Sequence, residues 1–135
     1  MHKASKILIA FVAFQHLLFM VMEMFLWQSD AVAARFGNTP EFAAESAVLA
    51  MNQGLYNGFL AAGLIWSLVS RDVEHGRASA RFFLGCVVVA GVFGGLTAKP
   101  SIMVIQALPA LLALATTYLM HAKPLARRRA DRVAA

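Results

Sequence analysis

The chain has 135 residues, of which 60% are hydrophobic and 14% charged, with a formal net charge of +5. The length suits one domain, but the composition is that of an integral membrane protein and not of a soluble globular one. The basic residues lie in short segments between apolar stretches, which reads as a topology signal and excludes a nucleic-acid partner. A single cysteine, Cys86, excludes an intrachain disulfide and a metal-thiolate framework.

The first apolar run spans 7–27, near the roughly 20 residues that a helix rising about 1.5 Å per residue needs to cross the hydrocarbon. It follows Lys3 and Lys6 and ends at Trp27. A secretory signal is the rival reading, because A-V-A (Ala31 to Ala33) resembles a cleavage site. The run is longer than such signals use and carries His16 and Glu23, so it is expected to be retained.

The connection that follows holds a weakly amphipathic piece and a Gly37-Asn38 turn. Thr39 as N-cap, Pro40 at the first helical position and Glu41 then predict the start of a second helix over 40–69. Its apolar span includes N-Q-G-L-Y-N-G-F-L-A-A-G-L-I-W, Asn52 to Trp66. A third helix is expected over 78–97. Lys99-Pro100 turns the chain into a fourth over 102–120, where Pro109 frees a carbonyl near Ile105 and should bend the helix.

Lipid leaves backbone polar groups unsatisfied, so these spans must be helices, and short connections make successive helices antiparallel neighbours. The expected fold is all-α: an integral membrane four-helix up-down bundle over residues 1–122, followed by a basic tail over 123–135. Ten of the 12 Lys and Arg residues fall on one side: Lys3, Lys6, Arg71, Arg77, Arg81, Lys123, Arg127, Arg128, Arg129 and Arg132. Only Arg35 and Lys99 fall on the other. Both termini are therefore expected in the cytoplasm.

Ionisable and amide groups inside hydrocarbon are costly, by about 2.5–3.5 kcal/mol for a charge at the helix centre, so they should turn inward and meet. His16 and Glu23 share a stripe of the first helix, while Asn52, Gln53, Tyr56 and Asn57 occupy neighbouring directions of the second. Gln106 lies at a matching depth in the fourth helix. The expected lining of an outer-half polar pocket is thus His16, Glu23, Asn52, Gln53, Tyr56, Asn57 and Gln106. Roughly opposite the carboxamides, Ala50, Gly54, Gly58 and Ala62 form a small-residue ladder for close helix packing. The third helix carries Cys86, Ala90 and Gly94 beside Gly91 and Gly95.

This pattern supports three functions. The leading one is a pocket centred on Glu23 that binds or passes a small molecule, a proton or a lipid headgroup. A membrane enzyme would use Glu23 or His16 as acid or base on an apolar substrate. In an assembly protein the glycine ladders would mediate association, with the amides as interhelical cross-links. No metal site is expected, because one imidazole and one carboxylate about 10 Å apart along a helix do not make a first coordination shell. His2, His75 and His121 belong at the cytoplasmic edge, leaving no second histidine for a haem. No cofactor fingerprint is present. The expected partners are the bilayer, a small-molecule or lipid ligand, and a second copy in a homodimer.

The runs H-L-L-F-M-V-M-E-M-F-L-W (His16 to Trp27), F-G-N-T-P-E-F, Asn52 to Trp66, F-F-L-G-C-V-V-V-A-G (Phe82 to Gly91) and Q-A-L-P-A-L-L-A-L (Gln106 to Leu114) resemble bacterial small membrane proteins grouped as domain of unknown function 1304. The resemblance covers nearly the whole chain. It implies a four-helix protein of the bacterial cytoplasmic membrane and carries over no catalytic residues.

Overall fold

The computed structural model describes residues 1–119. The basic tail expected over 123–135 and the end of the fourth span at Met120 lie outside them. The described chain is helical, with six helices and no strand among the described residues: α1 (Lys3–Phe25), α2 (Asp30–Phe36), α3 (Pro40–Glu45), α4 (Ala47–Val69), α5 (Val73–Thr97) and α6 (Met103–Leu119). It divides into two compact units, one of Met1–Val12 with Gly63 onward and the other of Ala13–Ala62.

Within the Ala13–Ala62 unit, the expected outer connection folds into two short helices. Gly37 ends α2 in the left-handed conformation at φ 75°. Its amide and that of Asn38 bond back to the Ala34 and Ala33 carbonyls, at 3.2 and 2.9 Å, in a Schellman closure. Thr39 then caps α3 by accepting the Phe42 amide at 3.2 Å, with Pro40 in the first turn.

The helix expected to run unbroken over 40–69 is interrupted at Ser46, which separates α3 from α4. The Ser46 hydroxyl donates to the Phe42 carbonyl at 2.6 Å, the back-bonding that bends helices. It also accepts the Trp27 indole N–H at 3.0 Å. Trp27 lies against the Phe36 ring, with centroids 5.2 Å apart. Trp27 thus ties the end of α1 to the start of α4.

The other unit is organised by α5 and α6. The helix expected from 78 begins at Val73, because the Asp72 carboxylate accepts the Glu74 and His75 amides at 2.8 and 2.9 Å. Those amides and the helix dipole hold the Asp72 carboxyl below the usual aspartate range, with His75 N–H the larger contributor. Along α5, Gly91 and Gly95 let α6 come close: a Cβ on Gly91 would stand 2.7 Å from the Ala107 nitrogen, and one on Gly95 2.7 Å from Met103 Cβ. Cys86 and Ala90 of the expected ladder are half-buried and exposed instead.

The bend expected from Pro109 takes the form of a π-helical first turn in α6, Met103–Ala107, closed by the Leu108 amide on the Met103 carbonyl. Widening the turn ahead of Pro109 accommodates a ring that would collide with the carbonyl four residues back in a regular helix.

Two of these helices, α1 and α5, are long and apolar enough to cross a membrane. α4 matches α1 in length but carries Asn52, Gln53 and Asn57 within its span.

Candidate functional site

In the Ala13–Ala62 unit, α4 lies on α1 through its glycines. A Cβ added at Gly54 would sit 2.6 Å from Met24 Cγ and 3.1 Å from both Glu23 Cβ and the Met20 carbonyl oxygen; one at Gly58 would sit 2.9 Å from Met20 Sδ. Removing the Cβ brings the two backbones to a separation that shorter polar side chains can bridge.

The bridge is between Glu23 and Asn57. The Asn57 side-chain amide donates from Nδ2 to Glu23 Oε2 at 2.7 Å. Asn57 is buried, with 8% of its surface exposed, and Glu23 is half-buried. One turn before Asn57, Gln53 lies on the flank of the same helix. Asn52 and Tyr56 lie on its far side, since residues advance about 100° each. All three are exposed. The expected lining on α4 therefore divides, with Asn57 on the glycine side and Asn52, Gln53 and Tyr56 away from it.

His16 is fully buried, its ring edge-on to Phe19 with centroids 5.6 Å apart. It sits two turns before Glu23 on α1, about 10 Å along the axis. Gln106 is half-buried in α6 and belongs to the other unit. Of the packing residues expected on α4, Ala50 is buried while Ala62 is exposed, the neighbouring Ala61 being the one fully enclosed.

Met20 and Met24, outside the lining expected from the sequence, fill the groove left by the glycines, Met24 at Gly54 and Met20 at Gly58. Their i, i+4 spacing around Glu23 was the available signal. Arg81 was counted as a loop charge, yet it stands two turns inside α5. Its Nε donates to Thr117 Oγ1 at 3.1 Å and its Nη2 to the Thr117 carbonyl at 2.7 Å, while its guanidinium lies 3.8 Å above the Tyr118 ring. An arginine surrounded by apolar neighbours pointed to such partners in advance.

Chemically, the Glu23–Asn57 arrangement holds a carboxyl group by one oxygen. An amide N–H is accepted by Oε2 whether the carboxyl is ionised or neutral, so Oε1 is the position at which a proton can be gained or lost without breaking the bond. Among the described residues no group of three or more His, Cys, Asp or Glu is placed to hold a metal ion.

The model of a protein family of unknown function, DUF1304, matches residues 10–118. An uncharacterized protein YpaA from Lactococcus lactis subsp. lactis (strain IL1403) is 29% identical over 114 residues, covering 83% of this chain and 94% of that one. No solved structure matches. The chain belongs to the DUF1304 family.

Proposed function

We propose that this chain is a multi-pass protein of the bacterial cytoplasmic membrane, a four-span bundle with its N-terminus in the cytoplasm, in which Glu23 is the ionisable centre of a polar site that binds or passes a small molecule, a proton or a lipid headgroup. The membrane placement draws on how little of the apolar spans is enclosed. In their most apolar stretches only 22% of α1 and 28% of α5 is buried, whereas the core helix of a soluble protein would be mostly covered. The outward residues Ile7, Phe11, Phe14, Phe82, Val89, Phe93 and Leu96 are large and apolar, a surface that water would penalise and acyl chains would not. In this reading the short helices α2 and α3 lie at the outer rim, and α4 and α6 complete the four spans.

The observation that carries the site is the 2.7 Å bond from Asn57 to Glu23, set where α1 and α4 meet through Met20, Met24, Gly54 and Gly58. A carboxyl group placed there costs several kcal/mol. A helix needing only an interhelical cross-link would be served by Gln, which bonds as well without the charge. His16 on the same stripe is the further polar group assigned to the site.

The test uses the purified chain in lipid nanodiscs, screened for thermal stabilisation by polar headgroups and small polar solutes at mildly acidic and mildly basic pH. The expected result is a stabilisation that depends on pH in the natural chain and is lost in Glu23→Gln, with helix content unchanged by circular dichroism. A stabilisation that survives Glu23→Gln at both pH values would refute the assignment.

A further inference from the structure

The side of α4 turned away from the Glu23–Asn57 bond carries a second polar feature. Asn52 and Gln53 are exposed and Tyr56 is 52% exposed. Among the described residues neither carboxamide nor the Tyr56 hydroxyl has a hydrogen-bond partner. The Tyr56 ring meets Phe59 one turn on, at 6.1 Å between centroids. With Leu49 and Phe59, both exposed, these residues cover an arc of about 120° at roughly 100° per residue. That arc is centred opposite Gly54 and Gly58.

If α4 spans the bilayer, as proposed above, this arc faces hydrocarbon. A carboxamide there keeps two N–H donors and a carbonyl acceptor with no water to satisfy them. The stripe carries no charge, so it lacks the cation that would draw a lipid phosphate. It does match itself: each carboxamide is donor and acceptor at once, so an identical stripe related by a two-fold axis presents an acceptor to every donor. A single buried Asn is known to fix helix pairing in this way.

We propose that this face of α4 is a homodimer interface, in which Asn52 and Gln53 hydrogen-bond to the same residues of a second copy inside an apolar border of Leu49, Tyr56 and Phe59. The inference rests on the membrane reading and is independent of any ligand at Glu23. It also accounts for the three amides of α4: Asn57 binds within the chain, and Asn52 and Gln53 bind between copies.

The experiment places single cysteines in a Cys86→Ala background and treats washed membranes from expressing cells with a mild oxidant. Leu49→Cys lies on the proposed face and Met51→Cys, also exposed, lies off it. The expected result is a disulfide-linked species of twice the chain mass from Leu49→Cys, at several-fold higher yield than from Met51→Cys. Adding Asn52→Leu and Gln53→Leu to the Leu49→Cys chain should lower that yield several-fold while the chain stays in the membrane fraction. Equal yields at the two positions, an undiminished yield without the amides, or a product containing a different protein would each overturn the interface. Recovery of the chain in the soluble fraction would overturn the membrane reading itself, and this one with it.

Discussion

Asn57 and Glu23 are 34 positions apart in the chain and 2.7 Å apart in space, joined by an N–H donated from α4 to a carboxyl oxygen on α1. Interhelical hydrogen bonds of this kind couple by about 0.6–2 kcal/mol. A double-mutant cycle with Glu23→Ala and Asn57→Ala, read by unfolding in mild detergent, should return a coupling in that range. A coupling indistinguishable from zero would mean that the bond contributes nothing to the fold.

The two α4 glycines should not respond alike. A Cβ at Gly54 meets Met24 Cγ, which can turn about its first side-chain bond, but also the Met20 carbonyl oxygen and Glu23 Cβ, neither of which can move without shifting α1. Gly54→Ala is therefore expected to cost about 1–3 kcal/mol, as overpacking does. At Gly58 the obstacle is the Met20 sulfur, on a flexible thioether that can swing aside. Gly58→Ala should cost less than about 1 kcal/mol. Denaturation midpoints in the opposite order would contradict the close approach at Gly54.

Arg81 is held by the shape of its guanidinium as much as by its charge, with two nitrogens on Thr117 and the plane over Tyr118. Lysine keeps the charge but cannot supply the fork or the stacking plane. Arg81→Lys should lower stability by about 1–2 kcal/mol, the scale of lost hydrogen bonds to a charged group, and Thr117→Val by less. An unchanged melting temperature for Arg81→Lys would show the contact to be dispensable.

For Asp72, the folded state lowers the pKa through the His75 and Glu74 amides, starting from an ordinary value of 3.8. A carboxyl whose pKa falls on folding stabilises the fold above its unfolded value and loses that contribution as pH drops through the folded one. The difference in melting temperature between the natural chain and Asp72→Ala should thus be constant at neutral pH and shrink only below about pH 4. A difference that persists in strong acid would point to a cause other than the ionised cap.

The helices were legible in the sequence because apolar length and capping chemistry are local. Thr39-Pro40-Glu41 and Gly37 sit where the pattern put them. The break at Ser46 was not legible, since it depends on the indole of Trp27, 19 positions away, and Ser46 without that partner looks like any helix residue. The early start of α5 escaped because apolar content was used to mark its beginning, although Asp72 two residues before Glu74 was a cap in plain view. For the site, helical spacing placed Asn52 and Gln53 level with Glu23 and Asn57 level with His16, whereas Asn57 is the residue that reaches Glu23. It also grouped Asn52, Gln53 and Tyr56 with Asn57, because a list of neighbouring directions on one helix does not reveal which direction the next helix occupies. Gly54 and Gly58 settle that: the side with no Cβ is the side α1 approaches, and Asn57 flanks it.

The π-helical turn Met103–Ala107 has a consequence for how α6 tolerates changes in length. Such a turn contains one residue more than the regular spiral needs. Excising a single residue within it would let the backbone revert to ordinary winding while Ala110, Ala113 and Thr117 kept their bearing toward the interior, the penalty being confined to the Pro109 ring. The same excision after Pro109 would swing everything downstream by about 100°, sending Thr117 out of reach of Arg81. The beginning of α6 therefore acts as a slack link, and the remainder as a rigid screw.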